Sequence, residues 1–235
     1  MIDITELFTE IYTPKKLLAV MQAGEGKVYI EAYDLDGENR AINAHPLTLK
    51  DAAELTDILK SSQQLNINFL KPQGLLPKNV LYIGTDAPGF AVWHTAPRKV
   101  RLRFVKDLGI PSGEAFIPPM IWKATKQQLF IFAITTDHPV LSTPLYHAPF
   151  FNIHADGQVC MGTVDVESSP SNSLEMFMKN WEDYFFDSYF SHLISNRSPV
   201  RSNIVQLWKK LMTSGQKFPL NQIIKSSLTI KDIII

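Results

Sequence analysis

The sequence predicts an α+β protein: an antiparallel meander sheet with C-terminal helices, preceded by a small α+β unit. Three observations carry that prediction. β-rich runs separated by short turns fill the middle of the chain, helical apolar spacing fills the last third, and a hairpin followed by one helical stretch opens it.

The opening unit begins with the apolar stretch Leu17–Met21, a turn at Gly24-Glu25-Gly26 and the alternating run Val28-Tyr29-Ile30-Glu31-Ala32-Tyr33, a hairpin signal. After a second turn at Asp34–Gly37, Thr48 is placed to cap a helix carrying Leu49, Ala52, Leu55, Ile58 and Leu59. Pro72, Gly74 and Pro77 then punctuate the chain, which places a domain boundary between residues 1–74 and residues 75–235. Strands follow at Val80–Ile83, at Phe90–Trp93 and at Val100–Phe104. A further hairpin pairs Met120–Ala124 with Leu129–Ile134. Short turns between successive strands give a meander. Residues 137 to 172 lack strong periodicity.

The last third is helical. Asn172, answered by Glu175, is the expected cap of a helix whose face carries Leu174, Phe177, Trp181, Tyr184 and Phe185. A second helix is expected to start at Ser198-Pro199, to bury Val200, Ile204, Leu207, Trp208 and Leu211, and to stop at Gly215. The tail Leu228–Ile235 is too apolar to be left in water.

Composition narrows the function. The 235 residues hold 23 Lys+Arg against 23 Asp+Glu, so the chain lacks the net positive charge of a protein that grips nucleic acid mainly through phosphates. A single cysteine excludes internal disulfides and multi-thiolate metal sites. The six histidines include no HxH or i,i+4 pair, so no bound metal and no cofactor are expected. Gly24-Glu25-Gly26-Lys27 lacks the leading glycine and following Ser/Thr of a phosphate loop. Arg98, Lys99, Arg101 and Arg103 form a basic cluster, and the alternating pair Arg101 and Arg103 reads as the solvated face of a strand or as a contact for an acidic partner or nucleic acid. With no signal-like start and no membrane-length apolar run, a cytoplasmic address is expected.

The chemistry concentrates in Thr143–Gly162, a turn-rich segment holding the only thiol. Long loops inside a compact domain are often functional. Cys160 is the candidate nucleophile, because sulfur is reactive even when only a small fraction is thiolate. Asn152 lies eight residues earlier with Asp156-Gly157 between, and its amide is a candidate donor to the oxygen that becomes negative in acyl transfer.

Asn152-Ile153, Gly157, Val159 and Cys160, followed by Ser169-Pro170, resemble the ubiquitin-conjugating enzyme superfamily in order and spacing. That family's His-Pro ahead of the asparagine is here Phe150-Phe151, and its Trp ahead of Ser-Pro is Ser168. The family histidine stabilises the turn that presents the asparagine, a role left here to His147 or His154. The run Thr143–Asn152, the stretch Gly157–Gly162 and Pro118-Pro119 with Trp122 resemble more narrowly the protein B family of the PRTRC cassette, a divergent prokaryotic branch of the superfamily. The resemblance implies a ubiquitin-conjugating-enzyme-like fold. It implies a thioester on Cys160, with a ubiquitin-like protein and a ThiF-like activating enzyme as partners and a ParB-related protein in the same cassette. Asp165 or Glu167 are candidates to take the proton of an acceptor amine. Two other readings stay open: a catalytically silent member acting as a binding or scaffold module in plasmid or mobile-element maintenance, and an unrelated cysteine hydrolase with a histidine base.

Overall fold

A computed structural model describes residues 14–22, 26–56, 68–86, 88–162, 173–194 and 197–234. The chain divides into two units, residues 1–62 and 63–235, so the punctuated stretch at 72–77 falls inside the second.

In the first unit, β1 (Lys16–Gln22), β2 (Val28–Leu35) and β3 (Ala41–Pro46) form an antiparallel sheet in that order, with Lys16 opposite Asp34 and Gln22 opposite Val28. The β2–β3 turn is built by Asp36, whose Oδ1 accepts from the N–H groups of Glu38 and Arg40, both at 2.9 Å. Those bonds, with the Arg40 side chain, hold the Asp36 carboxyl below its ordinary range. Helix α1 (49–56) starts as expected at Thr48. The Thr48 hydroxyl accepts from the Asp51 N–H (3.1 Å), and Asp51 Oδ2 accepts from the Thr48 N–H (3.2 Å), a reciprocal cap. Leu49, expected on the apolar face, is exposed. Ile58, Leu59, Gly24 and Glu25 lie outside the described residues.

The second unit contains β4 (Val80–Gly84), β5 (Phe90–Thr95), β6 (Arg98–Phe104), β7 (Gly113–Ile117), β8 (Met120–Ala124), β9 (Leu129–Ala133) and β10 (Pro144–His147). These are followed by α2 (Leu174–Asp187), β11 (Tyr189–Phe190), α3 (Ile204–Ser214), β12 (Lys225–Thr229) and α4 (Ile230–Ile234). The main sheet is antiparallel with order β12-β10-β9-β8-β5-β4, so the fold is α+β, with antiparallel sheets and few helices, as the sequence predicts. Its meander is interrupted once. The β6–β7 hairpin leaves the sheet between β5 and β8 and forms a separate three-stranded sheet with β11, which runs parallel to β6.

Period-two alternation gives the main sheet two apolar faces. On one, Trp93 and Trp122 are cross-strand partners with rings stacked 6.1 Å apart. Phe177, Trp181 and Phe185 of α2 and Leu207, Trp208 and Leu211 of α3 join the same core. On the other, Val92, Ile121, Phe132 and Leu145 pack with Ile230 and Ile233 of α4. The apolar tail therefore covers a face of its own sheet.

Two helix starts differ from expectation. Ser173 caps α2, its hydroxyl accepting from the Met176 N–H (3.3 Å), and Asn172 lies outside the described residues. Helix α3 begins after Asn203, whose Oδ1 accepts from the Gln206 N–H (3.1 Å), and not at Ser198-Pro199. Val200 is buried in extended backbone bridged to Ile223, and the Arg201 N–H donates to the Gln222 carbonyl (2.8 Å). A helix from Pro199 would break that pairing. Gly215, at φ +64°, ends α3 as expected.

Candidate active site

Residues 152–160 form a closed loop laid on the edge of β9. Ile153 bridges Val159, the Cys160 N–H donates to the Asn152 carbonyl (2.8 Å), and the His154 N–H donates to the Gln158 carbonyl (2.8 Å). The tip turns on Asp156, whose Oδ1 accepts from the Gln158 N–H (3.0 Å). Two further bonds tie the loop to β9: Ile131 N–H to Gly157 carbonyl (2.9 Å) and Val159 N–H to Leu129 carbonyl (2.8 Å). Gly157 sits at φ +91°, and a Cβ there would lie 2.5 Å from the Phe132 ring and 3.2 Å from the Ile131 carbonyl oxygen. Glycine is the residue that fits.

Packing holds the approach to the loop. Phe150 stacks on Phe190 and on Trp208, both at 5.5 Å, and meets Phe185 edge-on at 5.3 Å. Phe151 meets Phe104 edge-on at 6.2 Å. The indole N–H of Trp208 donates to the Pro149 carbonyl (2.7 Å). Where the superfamily pattern has His-Pro, this chain inserts two rings into its core.

Asn152 occupies the left-handed region at φ +61°, a conformation asparagine tolerates better than most residues. Its N–H donates to the His192 carbonyl (2.9 Å) while its own carbonyl receives the Cys160 N–H. Its carboxamide is engaged by the segment after α2: Nδ2 donates to the Tyr189 carbonyl (2.7 Å), and Oδ1 accepts from the Ser191 N–H (3.1 Å) and hydroxyl (2.8 Å) and the His192 N–H (3.3 Å). Cys160 is exposed. The two candidates thus face each other across the loop through backbone, with the asparagine side chain fastened elsewhere.

Among the described residues, neither imidazole expected to steady the turn is seen bonded to it. His147 is half-buried on β10, its N–H donating to the Ile224 carbonyl, and burial, aided by the positive charge of Arg197, lowers its pKa. His154 is exposed and bonds through its backbone to Gln158. The histidine that reaches the turn is His192, brought there with Ser191 by β11. Tertiary structure places that segment against Asn152, and no local pattern in the sequence links them. Asp165, Glu167, Ser168, Ser169 and Pro170 lie outside the described residues.

The basic strand is largely matched by acids. Arg98 pairs with Glu182, Lys99 with Glu114 (3.2 Å) and Arg103 with Asp187 (3.0 Å), leaving Arg101 facing solvent. Among the described residues no group of three or more His, Cys, Asp or Glu is placed to hold a metal ion, and no helix is long and apolar enough to cross a membrane. What the loop offers chemically is an exposed thiol on a backbone fixed at both ends, with an asparagine directly opposite.

Comparison with known families matches residues 55–226, nearly three quarters of the chain, to the model described as prokaryotic E2 family D. No curated protein and no solved structure matches.

Proposed function

Because the chain belongs to prokaryotic E2 family D, we propose that it carries the C-terminal acyl group of a ubiquitin-like protein as a thioester on Cys160, within a PRTRC-type cassette. The observation that carries this reading is Cys160 itself: the single thiol of the chain, exposed, on a loop whose glycine and asparagine hold it in a defined turn.

Two acyl transfers make up the reaction. The Cys160 thiolate attacks the carbonyl carbon of the thioester on a ThiF-like activating enzyme, a new C–S bond forms, and the activating enzyme's thiolate leaves. An amine or thiol of the acceptor then attacks the Cys160 thioester and releases Cys160 as thiolate, the acceptor's proton passing to a base. In both steps negative charge builds on the acyl oxygen. Asn152 is the candidate donor to it, a role typically worth ~10²–10³ in rate. The superfamily and the exposed thiol favour this reading over an unrelated hydrolase.

A second reading has one observation in its favour. The Asn152 carboxamide already makes four bonds to residues 189–192, as a loop that only needs to hold its shape would require. A silent member would use the same fold as a binding module in plasmid or mobile-element maintenance.

One experiment separates the two. The chain is incubated with ATP and with the ThiF-like and ubiquitin-like proteins of a PRTRC cassette, then run on a non-reducing gel. The conjugating reading expects an adduct that reductant removes and that Cys160→Ser turns into a reductant-stable oxyester. Absence of any adduct with partners that are themselves competent leaves the binding module.

A further inference from the structure

The segment Ser191-His192 belongs to no role so far, yet it determines how the Asn152 carboxamide is turned. A hydroxyl carries one proton. At 2.8 Å the Ser191 proton goes to Asn152 Oδ1, because the Tyr189 carbonyl beside Nδ2 and the two backbone N–H groups beside Oδ1 fix which end of the amide is which. The 2.9 Å contact between Ser191 Oγ and His192 Nδ1 must then have the imidazole donating. Hydrogen bonds run in one direction, from His192 Nδ1–H to Ser191 Oγ–H to Asn152 Oδ1. This order survives protonation of the imidazole, since Nδ1 carries a proton in both forms.

Donation into an amide oxygen draws electron density from the amide nitrogen and makes its N–H groups stronger donors, and each bond in such a chain polarises the next. One Nδ2 proton is spent on Tyr189. The other has no partner among the described residues.

We infer that Ser191 is a positioning residue for acyl transfer at Cys160: its hydroxyl, backed by His192, locks and polarises the Asn152 carboxamide so that the second Nδ2 proton meets the acyl oxygen. The inference rests on the thioester reading above. On this inference the four bonds around Asn152 prepare an oxyanion donor, whose remaining Nδ2 proton is held in place before the substrate arrives and needs no reorganisation during the reaction.

The test compares the full chain with Ser191→Ala and Ser191→Thr. Thioester formation on Cys160 is followed in single turnovers over a range of charged activating enzyme. Ser191→Ala is expected to lower the rate at saturation by about tenfold or more while leaving the half-saturating concentration unchanged. Ser191→Thr, which keeps the hydroxyl, returns the rate close to that of the parent. In parallel the Asn152 side-chain amide resonances, assigned by their loss in Asn152→Asp, should broaden or shift in Ser191→Ala and hold in Ser191→Thr. A Ser191→Ala chain that loads at the parental rate, or an equal loss in both variants, overturns the inference and leaves the thioester reading standing. A parental chain that forms no thioester with competent partners overturns the reading on which the inference rests.

Discussion

The two units are both sheets with helices, but the ties seen among their described residues differ in kind. In the second, four tryptophans and five phenylalanines are among the largest fully buried side chains, and both faces of the main sheet are covered. In the first, Ala32 is the one buried hydrophobic residue among those described, while Leu17, Val20, Met21 and Val28 are exposed. There the clearest ties are polar: the Asp36 turn, the Thr48 cap, and Lys16 reaching Asp51 with Asp34 at 3.9 Å. The second unit should therefore respond to changes in volume, and the first to changes in charge. The candidate nucleophile stands on the second unit, so its loop is expected to follow packing more than pH and salt.

The largest expected effect removes Trp208. It is fully buried, stacks on Phe150, contacts Phe104 and Phe218, and bonds the Pro149 carbonyl three residues before Asn152. Trp208→Ala should cost about 3–5 kcal/mol by denaturant unfolding. It should also loosen the Cys160 loop, seen as faster amide exchange at residues 152 and 160. Stability within about 1 kcal/mol of the parent would break the contrast between the units, because the aromatic core would then not be what holds this face.

Gly157→Ala is next. The added methyl meets the Phe132 ring and the Ile131 carbonyl, at a φ that L-residues rarely adopt. Strain of this kind costs of order 1–3 kcal/mol. Most of it should be felt locally, so alkylation of Cys160 by iodoacetamide should change severalfold with a smaller change in global unfolding. Unchanged alkylation would mean that the glycine does not set the thiol's exposure.

Ile233→Ala sharpens the comparison from the other face of the main sheet. Ile233 is buried in α4 against the cluster of Val92, Ile121 and Phe132. Emptying that buried position should cost about 2–5 kcal/mol, the range for such truncations. Thioester formation should be untouched if this face serves stability alone.

Features decided by neighbours in sequence were legible, and features decided by distant chain were not. The spacing from Asn152 through Gly157 to Cys160 gave the loop because each position answers a local demand: a left-handed turn, a close approach to β9, an exposed thiol. The α2 face from Leu174 to Phe185 was legible from its period, and Gly215 from its place as a stop. The departure of β6–β7 from the main sheet was not, since the alternation through Arg101 and Arg103 is the same in any half-solvated antiparallel strand. Ser198-Pro199 carried a valid helix start that lost to the pairing of Val200 with Ile223. Ser191 and His192 were invisible because their importance lies wholly in what β11 sets them beside.

The smallest expected effect belongs to the first unit and is electrostatic. Bonds from Lys16 and Thr48 hold the Asp51 carboxyl well below the usual carboxylate range, and the bond to Asp51 raises the Lys16 ammonium above its usual value. A depressed carboxyl favours the folded state fully above its unfolded value, about 4, and loses that contribution as pH falls through the lower folded value. A raised ammonium contributes fully below its unfolded value, about 10.4, and loses that contribution as pH rises through the folded one. The tie between β1 and α1 is therefore complete between about pH 4 and about pH 10 and weakens outside that window. The Lys16 end of the pair reaches solvent while Asp51 is nearly covered, so salt screens the pair in part and the effect is small. Amide protection at 49–56, with exchange rates corrected for their intrinsic pH dependence, should fall below pH 4 in the parent, stay level with pH in Asp51→Asn at a lower baseline, and be unchanged at residues 152–160. Parallel acid loss in both segments would show that charge, and not packing, also governs the loop that carries Cys160.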